Sequence, residues 1–175
     1  PLGSLRRQAS TVGDIDIAVA TDHPKDVIEH FTNYPKKVKV IEKGVATSSL
    51  LLPGGVQVDL MTQPPNAFGA LLQHFTGSKH HNVALRTYAI KKGLSLSERG
   101  IKKGGKLMTI STEEEFYKTL GMDWIPPELR EDEGEIEASL AQKLPHLVEL
   151  SDIKGDFHMH TNFPSETSHD VGANS

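Results

Sequence analysis

The chain has 175 residues, which is enough for one ordinary domain with a hydrophobic core and some additional structure. It contains no cysteine, which excludes disulfide bonds and thiolate metal sites and favours a reducing compartment. No apolar run reaches the ~18 residues of a membrane span and no signal-peptide pattern opens the chain, so we expect a soluble cytoplasmic protein that does not bind membranes.

The formal net charge of −4 conceals an uneven distribution of charge along the chain. Residues 1–110 carry 15 Lys and Arg against 8 Asp and Glu, a balance of +7, whereas residues 111–175 carry 4 against 15, a balance of −11. Because Lys and Arg neutralise phosphates, the basic part is typical of a protein that binds a polyanion. Ordinary solvated charge is the alternative, and it fits the acidic part better.

The chain opens with Pro1-Leu2-Gly3-Ser4, a composition typical of what remains after an expression tag has been cleaved. We therefore predict that residues 1–2 are a tag remnant and take no part in the fold.

Two acids then alternate with apolar residues in the stretch Gly13-Asp14-Ile15-Asp16-Ile17. Side chains of a strand alternate between its faces, so Asp14 and Asp16 are expected on one face and the isoleucines on the other. A helix with Pro24 in its first turn and two further strands follow. Pro53-Gly54-Gly55 then predicts a hairpin into a strand that carries a third acid, Asp59.

If that hairpin joins the same sheet, the three acids lie side by side on its open face. Carboxylate oxygens are the ligands that Mg²⁺ prefers, and it keeps waters and substrate phosphates beside them. The pattern therefore indicates a magnesium site that suits phosphoryl transfer. Solvated aspartates at a strand edge are the alternative.

The next stretch predicts a helix over 67–74 and a second one that Ser78 caps and that lasts to about Lys92. Asn82 and Arg86 lie one turn apart on the second helix and share a face, where they suit contacts to base edges or are simply solvated.

Residues 94–96 and 107–110 read as the arms of a small sheet, joined by a basic loop over 102–106. The loop suits phosphate binding, and a solvated hairpin is the alternative. Thr112 and Glu115 then predict a capping box at a helix start. An acidic run over 131–137 reads as a linker into a short helix over 135–142. The connection over 135–155 then precedes a strand on which His158 and His160 share a face, as a metal-ligand pair would.

Four blocks resemble the family X DNA polymerases, most closely the bacterial and archaeal kind in which a C-terminal PHP metallohydrolase domain follows a polymerase beta-like core. The blocks occur in the order and near the spacing of that family, and they are Gly3-Ser4-Leu5-Arg6-Arg7, Gly13-Asp14-Ile15-Asp16-Ile17, Val58-Asp59-Leu60, and Phe75-Thr76-Gly77-Ser78 with Asn82 and Arg86.

The resemblance implies an α/β (α+β) fold, with a nucleotidyltransferase palm of mixed sheet and flanking helices over 3–64. A small α+β subdomain over 65–134 would contact nucleotide and template and is called thumb or fingers by convention. The linker over 135–155 would lead into a truncated PHP start over 156–175, so His158 and His160 would be weak metal ligands.

The implied chemistry is transfer of a deoxynucleotide from a dNTP to a primer 3′ end, in a monomer that fills gaps during base excision repair. Asp14, Asp16 and Asp59 would hold two Mg²⁺, with Mn²⁺ as a substitute. The other implied contacts are to nucleotide by Gly3, Ser4, Arg7, Gly13, Phe75, Thr76, Gly77 and Asn82, and to primer-template or gapped DNA by Lys79, Arg86, Lys102 and Lys103. The Gly77–Ser78 peptide is expected to be cis.

Two residues depart from the family pattern. His74 replaces a Tyr, which leaves sugar discrimination open, and Gln57 replaces an Arg beside the third acid. Compared with that family, we also expect the upstream lyase and helix-hairpin-helix domains and the first palm helix to be absent from these residues. A template-independent nucleotidyltransferase and a non-catalytic fragment that binds nucleotide or DNA therefore stay open as alternatives.

Overall fold

The structure, a computed structural model, describes residues 1–155. It divides into a compact unit, Pro1–Leu144, and a second unit that begins at Pro145. Within the described part of the second unit, residues 145–155, a single 3-10 turn, Leu150–Asp152, is formed. The predicted residues His158 and His160, and the predicted PHP start over 156–175, lie outside the described residues.

The first part of the compact unit is a four-stranded mixed sheet with helices against it. Its elements in chain order are α1 (Gly3–Arg6), β1 (Ile15–Ala20), α2 (Pro24–Thr32), β2 (Lys39–Lys43), β3 (Thr47–Leu51) and β4 (Gln57–Gln63). The strand order is β1-β4-β3-β2, with β1 parallel to β4 and the other two pairs antiparallel. The hairpin therefore places β4 in the centre of the sheet, directly beside β1.

Alternation along β4 shows how the sequence positions this strand. Val58, Leu60 and Thr62 are buried, whereas Gln57, Asp59 and Met61 on the other face are partly exposed. Because the period of a strand is two, one face packs and the other is left for chemistry. The mixed sheet and its flanking helices confirm the predicted fold class.

The second part of the compact unit is built from helices around a three-stranded antiparallel sheet. Its elements are α3 (Phe68–Thr76), α4 (Lys79–Lys91), β5 (Leu94–Ser97), β6 (Gly100–Lys103), β7 (Lys106–Met108), α5 (Glu113–Thr119) and α6 (Glu135–Leu140). The core here is apolar and fully covered, with Leu85, Ile101, Phe116 and Ile125 each 0% exposed. Ser78 caps α4 as predicted, since its side chain accepts from the backbone N–H of His81.

Three expectations are corrected by the packing. Leu2, expected to take no part in the fold, is completely buried, and its backbone N–H donates to the carbonyl of Asp16 at 2.9 Å. Lys102 and Lys103, expected in a loop, belong to strand β6, because a tight turn at Gly104-Gly105 needs no more than two residues. The expected linker over 135–155 is shorter than predicted, because its expected short helix, here α6, packs into the compact unit with Ile136 buried in the core.

The predicted domain boundaries after residues 64, 134 and 155 stay predictions. In the part of the chain that the structure describes, no helix combines the length and the apolar character that crossing a bilayer requires.

Candidate active site

Three aspartates meet on the partly exposed face of the mixed sheet. Asp16 on β1 stands directly opposite Asp59 on β4 in the parallel register, and Asp14 lies just before β1. One carboxylate oxygen from each residue lies within 4.8 Å of those of the other two. The structure thus brings together the three acids that the sequence predicted as a metal site.

The cluster holds negative charge that the protein itself does not neutralise. Among residues 1–155, no Lys, Arg or His nitrogen forms an ion pair with these three carboxylates. Burial, followed by the charges of Asp14 and Asp59, raises the pKa of Asp16 above its ordinary value. A divalent cation would relieve both effects, because it offsets the like charges and replaces lost hydration.

The donor set fits Mg²⁺ or Mn²⁺, because three carboxylates supply hard oxygen ligands and leave room for water and phosphate oxygens. Gln57 orients one of these ligands, since its amide nitrogen lies 3.0 Å from each carboxylate oxygen of Asp59. The residue that departs from the family pattern therefore contacts Asp59 as a neutral donor, where the family's Arg would bring a positive charge.

Glycines at two positions next to the acids have different surroundings. Gly3 has a φ of +56°, and a Cβ there would collide with the Asp16 carboxylate, so only glycine allows α1 to approach the cluster this closely. Ser4 follows on the same short helix. Gly13 is exposed, and no protein atom lies within 4 Å of the place where its Cβ would be. Packing within the chain therefore does not explain Gly13.

The predicted turn after α3 is held by the first arginines. Arg7 donates from Nη1 to the carbonyl of Thr76 and from Nε to Glu131, both at 2.6 Å. Gly77 has a φ of +73°, and its peptide bond to Ser78 is cis, as the resemblance implies. Arg7, Thr76 and Gly77, which were predicted separately as nucleotide contacts, thus lie together.

Predicted residues of α3 and α4 are linked through their polar side chains. Asn82 donates to the carbonyl of His74 at 2.7 Å and accepts from Gln73 at 2.8 Å, so its amide joins the two helices. The exposed Arg86 lies 3.2 Å from Nδ1 of His74. Burial and then the Arg86 charge lower the pKa of His74, which favours the neutral ring that can accept from Arg86. Phe75 packs edge-on against His74 at 4.8 Å between ring centroids.

The remaining predicted DNA contacts lie on the surface. Lys79 is exposed at the start of α4, and Lys102 and Lys103 are exposed at the end of β6. Neither the acid cluster nor the turn after α3 includes them.

The sequence did not predict a buried polar network behind the turn. Glu113, which is 3% exposed, accepts from Arg130 at 2.7 Å and from Arg6 at 2.6 Å, and Arg6 also donates to Thr76 Oγ1. The carbonyl of Arg130 accepts from the backbone N–H of Ser78 at 2.9 Å. Around Glu113 the sequence predicts only the start of a helix, and no local pattern marks a contact to residues so distant in sequence.

A second buried polar group joins α4, α5 and α6. The His81 ring lies between Glu135, at 2.6 Å from Nδ1, and the Tyr117 hydroxyl, at 2.9 Å from Nε2. Burial alone would raise the pKa of Glu135. Hydrogen bonds from His81 and from backbone N–H groups outweigh this effect and lower the pKa to about 2. These two buried networks, one around Glu113 and one around His81, fix the position of α4, which follows the turn after α3.

Comparison with known proteins assigns this architecture. Residues 71–131 match the DNA polymerase beta thumb family. DNA polymerase/3'-5' exonuclease PolX of Bacillus subtilis (strain 168) is 39% identical over 165 residues, which cover 92% of this chain and 29% of that protein. DNA polymerase lambda of Rattus norvegicus is 29% identical over 161 residues, covering 74% of this chain and 28% of that protein.

A third relative, DNA-directed DNA/RNA polymerase mu of Homo sapiens, is 35% identical over 78 residues, covering 43% of this chain and 16% of that protein. The sheet with its acid cluster and the matched thumb place the protein in the class of polymerase-type nucleotidyltransferases. The chain belongs to family X of the DNA polymerases, and it spans less than a third of the length of the relatives named here.

Proposed function

We propose that this chain is the catalytic core of a DNA-directed DNA polymerase that adds a deoxynucleotide to a primer 3′-hydroxyl during gap filling in DNA repair. The observation that carries the proposal is the cluster of Asp14, Asp16 and Asp59, whose oxygens lie within 4.8 Å of one another. Three unneutralised carboxylates on one sheet suit a reaction in which divalent cations and a triphosphate meet.

Within this proposal, Asp14, Asp16 and Asp59 would together hold the Mg²⁺ ions, with Asp59 on the primer side. When bound, the ions lower the pKa of the primer hydroxyl and offset the charge of the triphosphate. Gln57 keeps the Asp59 carboxylate in one orientation through its two contacts of 3.0 Å. Because Gln57 is uncharged, it places no positive charge beside Asp59 that would compete with the ion.

The triphosphate would approach Ser4, Arg7 and Gly13. Arg7 is paired with Glu131, whose side chain is 42% exposed, and an exposed ion pair contributes only about 0–1 kcal/mol. A triphosphate can therefore replace Glu131 as the partner of Arg7 at small cost. The open space at Gly13 would let phosphate approach the backbone, and this accounts for a glycine that packing does not require.

The sugar and the template would lie at the other side of the site. Phe75, Thr76 and Gly77 would contact the nucleotide sugar, and Asn82 and Arg86 the minor groove of the new base pair. Lys79, Lys102 and Lys103 would contact the phosphates of primer-template or gapped DNA. We expect the monomer to be the active form.

Nucleotide incorporation tests the proposal directly. We expect a primed template with Mg²⁺ to be extended by the nucleotide that pairs with the templating base. Asp59→Ala removes one ligand from the cluster and should lower the rate at least ~1000-fold, which corresponds to ~4 kcal/mol. The matched control is Asp22→Ala, which removes an exposed aspartate outside the cluster and should leave the rate within about twofold.

Two results would favour the alternatives. Extension that ignores the templating base would indicate a template-independent nucleotidyltransferase. No incorporation by the wild type, together with retained DNA binding, would indicate a fragment that binds without turnover; the coverage of only 29% of the PolX relative motivates this alternative.

A further inference from the structure

A cavity of about 480 Å³ lies between the ends of α4 and α5 and the three-stranded sheet. Three lysines from these three elements line it, Lys92, Lys103 and Lys118, and no Asp or Glu is among the lining residues. We call it the lysine cavity. None of its lining residues belongs to the acid cluster, so it is a separate feature of the molecule.

The three ammonium groups have no anionic partner in the part of the chain that the structure describes. None of them forms an ion pair there, and the lysine ammonium groups that donate hydrogen bonds are those of Lys37 and Lys154. The Lys92 ammonium lies 5.6 Å from the centroid of the Tyr88 ring. Three positive charges round one cavity repel one another unless an anion enters it.

Lysines near helix C-termini often serve to complement the helix dipole, but the carbonyls here have other donors. The carbonyl of Leu120 accepts from the Tyr88 hydroxyl at 3.1 Å, and that of Tyr117 accepts from two backbone N–H groups at 3.0 Å. At the end of α4, the carbonyls of Ala89 and Ile90 accept from backbone N–H groups at 2.9 Å. Satisfying these carbonyls therefore does not require the lysines.

The hairpin beside the cavity contains a second unfavourable arrangement. Lys103 and Lys106 stand directly opposite each other across the turn at Gly104-Gly105. Like charges in this position destabilise a hairpin by roughly 0.2–1 kcal/mol. Lys103 also pairs in register with Leu94 of β5, so both lysines extend the inward face of the sheet toward the cavity. A bound anion would turn this repulsion into attraction.

We propose that the lysine cavity binds backbone phosphates of a DNA strand, outside the catalytic centre. A strand fits better than a single phosphate, because the exposed Lys91 and Lys106 continue the positive surface beyond the three lining lysines. The inference rests on the proposed function in that the ligand is DNA. It adds a second contact that holds a strand while the acid cluster carries out the chemistry.

The test compares two triple variants of the full chain by fluorescence anisotropy with labelled single-stranded DNA, without metal or dNTP, over a range of salt concentrations. In the first, Lys92, Lys103 and Lys118 are each replaced by Gln. In the control, Lys25, Lys36 and Lys39, which are exposed lysines of the mixed-sheet part, are replaced in the same way, so that the net charge is equal. Each lost phosphate contact should lower affinity about fivefold near 0.1 M salt and the salt slope by ~0.7.

We expect the first variant to bind DNA ~100-fold more weakly than the control, with a salt slope smaller by about 2. Equal affinities would overturn the inference and leave the proposed function intact, since Asp59→Ala tests that function separately.

Competition with tripolyphosphate separates the two sources of phosphate. If the first variant loses tripolyphosphate binding and keeps its DNA affinity, the cavity serves a free anion and the inference is wrong. Should the triple variant fail to fold, Lys103→Gln and Lys118→Gln alone must each lower DNA affinity about fivefold. No change in either single variant would also overturn the inference.

Discussion

Carboxylates have opposite surroundings in the two parts of the compact unit. In the helical part, Glu113 lies between Arg130 and Arg6, and Glu135 lies beside His81, so each acid has a basic partner. On the mixed sheet, the three aspartates lie together with no basic partner among the described residues. The same functional group is therefore structural in one part and a proposed metal-ligand set in the other.

Because of this difference, the structural role and the proposed metal-binding role of a carboxylate can be separated by measuring stability. Removing a paired acid leaves its partner's charge buried, which costs stability. Removing an acid from a repelling cluster relieves repulsion, which adds stability while it takes away function. Replacing a carboxylate by an amide at each place should therefore change the free energy of unfolding with opposite signs.

The largest effect is expected for Glu113→Gln. It leaves the fully buried Arg130 and the partly buried Arg6 without a charged partner, so the free energy of unfolding should fall by about 3–5 kcal/mol. Urea unfolding at pH 7 measures it. The control is Glu114→Gln on the same helix turn, which is exposed and should stay within ~0.5 kcal/mol of the wild type. Equal midpoints for the two variants would contradict the paired role of Glu113.

The second effect depends on pH. The pKa of Glu135 is about 2 in the folded chain, below its ordinary value of 4.5, because hydrogen bonds from His81 and backbone N–H groups outweigh burial. A depressed carboxyl pKa contributes stability that is complete above pH 5 and is lost as pH falls toward 2, here about 3 kcal/mol. Urea unfolding between pH 5 and pH 2 should therefore show a steeper loss for the wild type than for Glu135→Gln.

The control for that comparison is Glu137→Gln, which changes an exposed acid of the same helix. It should keep the wild-type slope of stability against pH. A Glu135→Gln variant with the same slope as this control would show that Glu135 does not titrate with a lowered pKa.

The smallest effect has the opposite sign. Burial and the two neighbouring acids raise the pKa of Asp16, so its ionised form costs stability at pH 7 when no metal is bound. Asp16→Asn should therefore stabilise the metal-free chain by about 0.5–1 kcal/mol. Thermal unfolding without Mg²⁺ measures this gain in stability. With Mg²⁺ it also measures metal binding, since added Mg²⁺ should raise the melting temperature of the wild type and not of the variant. A metal-free Asp16→Asn variant that is less stable than the wild type would contradict the predicted repulsion within the acid cluster.

Much of the acid cluster could be predicted because its signals are local. Alternation put Asp14 and Asp16 on one face, and the turn at 53–55 indicated the hairpin that brings Asp59 beside them. The resemblance supplied the cis peptide after Gly77, which no propensity indicates.

Long-range polar contacts could not be predicted. Arg130 follows an irregular stretch in the sequence, and only the folded chain shows that it reaches Glu113. Nothing local in the sequence around His81 indicated its contact with Glu135. Burial of Leu2 was missed for a different reason, because the composition of the first four residues resembles a tag remnant.

The position of Leu2 has a practical consequence for spectroscopy. Its backbone donates to the carbonyl of Asp16 and its side chain is buried, so the exposed Pro1 is held beside the acid cluster. A fluorophore attached to a cysteine introduced by Pro1→Cys would therefore lie close to any ion bound there, and paramagnetic Mn²⁺ should quench its emission. The first residue of the chain is thus a reporter position for metal occupancy that leaves every proposed ligand unmodified.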